Sequence, residues 1–506
     1  MLNLTFDNQF TNLLPGDSET GARQRQLSQA IFARVAPKPA ARPLLMHCSR
    51  EVAAMLGLSE AQCQSDEFVQ AFSGSRVLPG MDPHATCYGG HQFGNWAGQL
   101  GDGRAILLGE IVGKDKQRYD LQLKGSGQTP YSRMGDGRSP LGPVMREYVV
   151  SEAMAALGVP TSRSLAAVQT GEDVYRDQAM PGAVLARVAK SHIRIGTFQF
   201  FASKGDKEAL RLLVDHVLER HYPNTVDAST SLGNKALLLI DEVMKAQAKL
   251  VAGWQMVGFI HGVMNTDNVL LSGETVDYGP CAFMDTFKAG TVFSSIDHGG
   301  RYAYNNQPNI AHWNMACLAQ ALVPVINEKE EKAIEIAKSK LDDFPTYFLT
   351  EYVSGMRRKL GLIDSNTGDE TLATDFLDLL EAEQLDFTLS FRLLSELSGY
   401  EPESSVKSLT GFSSAFDKWM IRWKTRCDAE NNPTRQERML SKNPAMIPRN
   451  HLIEESIIAA STEGNFDLFN ELVENLSTPF DIKGVNKRFL KKPKPEEMVR
   501  QTFCGT

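Results

Sequence analysis

Asn268 closes the segment His261-Gly262-Val263-Met264-Asn265-Thr266-Asp267-Asn268, and Asp277 heads the triplet Asp277-Tyr278-Gly279. An amide and a carboxylate of this kind offer hard oxygen donors that suit Mg2+ or Mn2+. Lys124 ends a strand-like run, and Glu147 falls near the middle of the helix expected after it. Such a lysine can hold phosphate oxygens while the glutamate holds the lysine. Taken alone, the pair also reads as two solvated charges. Glycines crowd residues 88–104, at Gly89, Gly90, Gly94, Gly98, Gly101 and Gly103, and a second loop runs from Gly125 to Arg138. Asp102 is an odd residue in a loop meant to embrace phosphates, because it would repel them.

These residues need elements to hold them. Ala105–Val112 and Arg118–Lys124 read as strands. A helix is expected from Ser139–Pro140, with serine as N-cap and proline at the first helical position, to about Leu157, where Gly158 stops it. Further strands are expected near Ser164–Gln169 and Ala183–Ala189. From about Gly205 the pattern turns helical: Lys207–Arg220 and Lys235–Val257 carry apolar residues at 3.6 spacing. Ile310–Ile326, Glu328–Leu341, Phe376–Glu383 and Ser413–Arg426 follow. Lys491–Glu497 reads as a Pro-Lys linker.

The fold class expected is α+β, in a protein-kinase-like two-lobed arrangement. Residues 76–200 would form a β-rich N-lobe with a glycine loop, and 201–440 a mostly helical C-lobe. Residues 1–75 and 441–506 would be an N-terminal extension and a C-terminal helical extension with its tail. In a kinase catalytic loop an aspartate stands two residues after the histidine and an asparagine seven after it; that asparagine and the aspartate of a later Asp-aromatic-Gly triplet bind metal. His261, Asn268 and Asp277 keep this pattern, but Val263 stands where the catalytic base belongs. Either the chain is inactive or it does different chemistry, with Asp267 available as the missing carboxylate.

Composition narrows the partners. The chain has 506 residues, 42% hydrophobic and 23% charged, which is globular and too long for one core. A net charge of -8 disfavours nucleic acid. No apolar run approaches the ~18–20 residues that span a bilayer, and Met1–Phe10 lacks the pattern of a secretory signal. The seven cysteines, Cys48, Cys63, Cys87, Cys281, Cys317, Cys427 and Cys504, form no CxxC pair, which argues against zinc or a secreted disulfide framework. A cytoplasmic monomer with no membrane partner is the expectation. His192 and His298 read as ordinary structural histidines, and Trp254, Trp313 and Trp419 as packing residues of the helical half.

The stretches Tyr88–Glu110 (YGGHQFGNWAGQLGDGRAILLGE), Leu121–Glu147 (LQLKGSGQTPYSRMGDGRSPLGPVMRE), His261–Gly279 and Asn443–Ala460 (NPAMIPRNHLIEESIIAA) resemble the selenoprotein O family, including its bacterial YdiU-type members. The resemblance covers nearly the whole chain. It implies a kinase-like fold that binds ATP in a flipped orientation and transfers AMP to hydroxyl side chains of proteins; UMP transfer has also been attributed to bacterial members.

Residue by residue, the resemblance implies nucleotide contacts at Gly101, Gly103 and Arg104, and further ATP contacts at Asp136 and Gly137. Lys124 matches the phosphate lysine, with Glu147 as its partner, and Arg187 and Arg194 match phosphate-binding arginines. Asn268 and Asp277 match the metal ligands, and Asp267 the proton acceptor. Cys504 stands where some members carry selenocysteine. A tail cysteine pairing with Cys281, beside the loop that gates substrate access in kinases, would make a reversible disulfide switch; two unrelated thiols are the alternative. The expected activity is therefore metal-dependent transfer of AMP, and possibly UMP, to Ser, Thr or Tyr of partner proteins. A conventional phosphotransferase and a non-catalytic ATP-binding scaffold are the alternatives.

Overall fold

The computed structural model describes residues 2–27, 29–227, 229–397, 414–430 and 432–503. Its centre is an eight-stranded antiparallel sheet. The strands, in chain order, are β1 (Phe32–Arg34), β2 (Leu44–Cys48), β3 (His84–Thr86), β6 (Ala105–Val112), β7 (Arg118–Lys124), β8 (Ser139–Pro140), β9 (Arg163–Tyr175) and β10 (Ala179–Ala189). A separate hairpin of β4 (His91–Gln92) and β5 (Asn95–Trp96) leaves the sheet between β3 and β6. The spatial order is β1-β3-β6-β7-β10-β9-β2, with β8 paired to β10. Residues before 76 thus supply both edges of the sheet.

Register sets the site. Lys124 lies opposite Leu185 and Gln122 opposite Arg187. Directly opposed residues share a face, and so do residues two apart, so Gln122, Lys124 and Arg187 line one face together. The intervening Leu121, Leu123, Val184, Ala186 and Val188 face the other way. They pack on the short helices α2 (Arg50–Met55) and α4 (Asp66–Phe72), which follow α1 (Gln9–Leu13) and flank α3 (Glu60–Cys63).

The polar face is covered by α5 (Leu141–Ala156). This helix is buried nearly all round, as a helix held between two layers must be. Its outer side packs on the C-terminal helices Asn450–Glu463 and Asp467–Leu476, and Arg146 pairs with Glu454 there. Its start differs from the sequence expectation. Ser139 and Pro140 pair with Ala183 and Gly182 as β8, Pro140 is the cap residue, and no side chain caps the helix. Sheet pairing takes the backbone that a local capping signal would have used.

Beyond the sheet, α6 (Ile195–Ser203), α7 (Lys207–His221) and α8 (Leu232–Val257) lead to β11 (Phe259–Ile260) and β12 (Ala282–Phe283). Then follow α9 (Gln307–Ile326), α10 (Glu330–Leu341), α11 (Phe344–Lys359), α12 (Asp369–Ala382) and α13 (Phe387–Leu397). α8 packs against α9 and α11. The short antiparallel pair β11–β12 brackets the segment with Asp267, Asn268 and Asp277. Trp254 and Trp419 are buried and Trp313 is half-buried. Among the described residues no helix is long and apolar enough to cross a membrane.

Candidate active site

Four charged side chains from four elements meet at the covered face of the sheet. Lys124 Nζ lies 2.7 Å from Glu147 Oε2 and 3.2 Å from Asp277 Oδ1. Arg187 pairs with the other oxygen of Glu147, donates to Gln122 Oε1 at 3.1 Å, and reaches within 4.0 Å of Asp277. Burial pushes the Asp277 carboxyl up, but the charges of Lys124, Arg187 and Arg104 more than offset it and hold it well below the carboxylate range. Glu147 is likewise held down against burial by Arg187 and Lys124. Asp277 sits at φ +64°, a left-handed conformation of the sort that gathers at functional sites.

The acidic residue of the first glycine stretch lines the same cleft, but both of its oxygens are engaged. Asp102 is buried; its Oδ2 accepts from the backbone N–H (3.0 Å) and hydroxyl (2.6 Å) of Thr86, and its Oδ1 lies 3.4 Å from Arg194. It therefore braces β3 and Arg194, which removes the repulsion its position in the sequence suggests. Arg194 also donates to Asp267 O at 2.9 Å and lies over the Tyr88 ring, 4.2 Å from its centroid. Gly101 is at φ +143°, and a Cβ there would meet the Tyr131 ring at 2.3 Å, so the loop closes as it does only with glycine.

The segment after β11 is fixed from within. His261 Nε2 donates to Val276 O at 2.9 Å, and its backbone N–H donates to Gln307 Oε1. Val263 is buried and offers no proton acceptor. Asp267 and Asn268 lie on a single 3-10 turn, Thr266–Asn268. The amide nitrogen of Asn268 is committed to Val263 O at 3.1 Å, which leaves its oxygen as the atom a cation could use. Asp267 accepts from Gln92 Nε2 at 3.2 Å through Oδ2, while its buried Oδ1 has no partner among the described residues. Burial raises this carboxyl above its usual range against the opposing pull of Gln92 and Arg194.

These groups open on one cleft of about 570 Å3. Gly101, Gly103, Arg104, Lys124, Asp136, Gly137, Arg187, Arg194, Asp267, Asn268 and Asp277 all line it. Glu147 stands behind Lys124, buried. The second loop is tied over the cleft by Arg176, which holds both oxygens of Asp136 (3.0 and 3.1 Å) and donates to Arg138 O. Cys281 is buried, and burial pushes its thiol up to about 12. Thr502 runs beside Ser294, taking a backbone bond from Ser295 and donating to Phe293 O, while its hydroxyl donates to Pro280 O. The tail thus reaches the residue before Cys281, and Cys504 lies outside the described residues.

Residues 18–477 match the family described as Protein adenylyltransferase SelO. The chain belongs to the SelO family. It is 52% identical to Protein nucleotidyltransferase YdiU of Rhodopseudomonas palustris (strain HaA2) over 484 residues, covering 95% of this chain and 97% of that one. Its identity to the protein of the same name from Bradyrhizobium sp. (strain BTAi1 / ATCC BAA-1182) is 52% over 483 residues, with the same coverage. It is a nucleotidyltransferase, and the family description implies ATP as substrate.

A divalent cation fits the donor set of this SelO-family cleft. Among the described residues no cluster of three or more His, Cys, Asp or Glu exists that could cage a metal. A magnesium-type ion needs none, since it keeps waters and takes substrate phosphate oxygens beside one or two protein oxygens, and Asn268 and Asp277 supply two on the cleft wall. Reading the sequence did not single out Thr86, Tyr88, Gln92 or Arg176. Each acts across a long separation, as Gln92 does on Asp267, and no local pattern announces such a contact.

Proposed function

We propose that this chain transfers AMP from ATP to the hydroxyl of Ser, Thr or Tyr in partner proteins, releases pyrophosphate, and depends on Mg2+ or Mn2+. UMP transfer from UTP is a second use of the same cleft. We also infer a kinase-like two-lobed architecture, with lobes 76–200 and 201–440 between extensions 1–75 and 441–506. The sheet that holds residues 101–104 at the cleft, and the helices that follow residue 195, support it. The observation that carries the functional reading is the pairing of an excess of cations with one carboxylate that has a free buried oxygen. Lys124, Arg104, Arg187 and Arg194 share the cleft with Asp267.

The acceptor hydroxyl gives its proton to the Asp267 carboxylate as its oxygen bonds to the α-phosphorus. The bond from that phosphorus to the bridging oxygen breaks, and the electron pair leaves with pyrophosphate. Val263 cannot take the proton, which is why the base is displaced to Asp267. Lys124, Arg187 and Arg194 neutralise charge on the leaving group, and the planar fork of arginine suits phosphate oxygens. Glu147 keeps Lys124 and Arg187 in place. A divalent ion held by Asn268 and Asp277 would add neutralisation and polarise the reacting phosphate.

A redox pairing of Cys281 with Cys504 is the regulatory part of this proposal, supported by the docking of Thr502 on Pro280. Forming that disulfide releases two protons and passes two electrons to an oxidant of the peroxide class, and burial of the Cys281 thiol makes the step slow. Mass spectrometry of a proteome incubated with the purified chain, ATP and Mg2+ or Mn2+ tests the function. Nucleotidyl adducts on hydroxyl residues are expected; phosphorylated residues in their place would overturn it.

A further inference from the structure

Three consecutive residues of the β4–β5 hairpin bind three consecutive residues of the loop that carries Asp267. His91 donates its backbone N–H to Thr266 Oγ1 at 2.7 Å, Gln92 its side-chain N–H to Asp267 Oδ2 at 3.2 Å, and Phe93 its backbone N–H to Asn265 Oδ1 at 3.0 Å. The loop has its own brace behind, where the Tyr302 hydroxyl donates to the same Asn265 oxygen at 2.6 Å. The approach is close: a Cβ on Gly90 would come within 2.9 Å of Thr266 Oγ1. His91 is fixed in turn by Gln199, at 2.9 Å.

The three contacts differ in what they ask of the sequence. Those at 91 and 93 use backbone donors, which most side chains would leave intact. The contact at 92 needs a side-chain donor of glutamine's reach. It also differs in what it holds. The main chain of Asp267 is already fixed by Arg194, but its carboxylate turns about two side-chain torsions. Gln92 takes one oxygen, and the other remains buried without a partner among the described residues.

We propose that Gln92 is a positioning residue for nucleotidyl transfer, holding Asp267 through Oδ2 so that the carboxylate keeps its place on the cleft wall for the acceptor hydroxyl. This rests on Asp267 being the proton acceptor. Gln92 takes no proton itself and acts on the reaction through the angle and reach of Asp267. The other role open to it is to pack the hairpin, which would alter stability without altering the chemical step.

The test is a double-mutant cycle between Gln92→Met, which keeps the length and loses the donor, and Asp267→Asn. Initial rates are read with α-labelled ATP and a degenerate Ser/Thr/Tyr peptide library as acceptor, alongside KM for ATP and thermal melting. Gln92→Met is expected to lower kcat by roughly ten- to a hundredfold, the range seen when the partner of a functional ligand is lost, with KM for ATP changed by less than about twofold. On the Asp267→Asn background the same substitution should cost nothing further, because its effect passes through that carboxylate. Should Gln92→Met melt early, Gln92→Leu removes the donor without adding a charge and carries the same expectation. A kcat near that of the parent in a folded Gln92 variant, or a loss that multiplies independently with Asp267→Asn, overturns the inference. If instead Asp267→Asn alone transfers at the parental rate, the base assignment has failed and this inference with it.

Discussion

Strand β7 carries a buried ion cluster at each end. At one end Asp120 and Glu110 share Arg220, which lies 2.7 Å from Asp120 and also pairs with Glu110; His192 closes the group on Asp120. At the other end Lys124 and Arg187 share Glu147 and approach Asp277. Unpaired atoms do not tell the two apart, since Arg220 Nε and His192 Nε2 lack hydrogen-bond partners among the described residues just as Arg187 Nη2 does. Charge balance and access do. At the closed end one arginine serves two acids: against burial, Arg220 and His192 hold Asp120 well down, while burial carries the Glu110 carboxyl up to about 7. At the open end cations hold Asp277 down, and its side chain is 26% exposed on the cleft. A buried charge cluster marks a site when it opens on a cavity with charge to spare for a ligand.

Each end can be broken separately. Asp277→Ala is expected to have the largest effect, a loss of about a thousandfold in transfer, or ~4 kcal/mol of transition-state stabilisation, with melting little changed. Steady-state rates across a metal titration check it, and an unchanged metal dependence would contradict the ligand role. Arg220→Leu should do the opposite. It strands two buried acids and costs about 3 kcal/mol of stability, while turnover per folded molecule, measured below the transition, stays at the parental value.

Lys124→Ala is next, on the order of a hundredfold in rate, or ~2.7 kcal/mol. Arg187 still holds Glu147 in that variant, so the fold should survive. Near-normal transfer by the folded protein would reduce Lys124 to a structural charge.

The smallest effect lies away from both clusters. Lys359 is buried between the rings of Phe387 and Phe391, and burial pulls its amine down to about 7. The folded state then binds fewer protons than the unfolded state between about pH 7 and the ordinary lysine range, so stability rises with pH across that window. The cost of burying the charge is present in full only below about pH 7. Lys359→Met should therefore stabilise the fold at pH 7 by on the order of 1 kcal/mol, seen as a higher melting temperature, and by less at pH 10. Equal gains at both pH values would mean that the amine keeps its charge.

Much of this comparison was legible beforehand, and the illegible parts share a cause. β-rich runs mark β6 and β7 to the residue, and the spacing of His261, Asn268 and Asp277 brings the open cluster into view. Ser139 reads as a helix cap, yet pairs in the sheet because β10 lies alongside. α11 was missed although Pro345 sits in its first turn, because its exposed Leu349 and mixed surface blur the 3.6 period. The role of Asp102 was unreadable because its partner Thr86 lies on β3, 16 residues earlier, rather than nearby in a helix. The same holds for the Arg176 clasp on Asp136, which joins two loops. Local chemistry survives in one dimension, while contacts made by folding do not.

The central claim is that the cleft at the open end of β7 transfers the nucleotidyl group and not the terminal phosphate. Parallel reactions with ATP labelled at the α- or the γ-phosphate, with protein acceptor and Mg2+ or Mn2+, test it most directly. Label should reach protein from the α position, with γ label recovered in pyrophosphate. Protein labelled from the γ position alone would contradict the account.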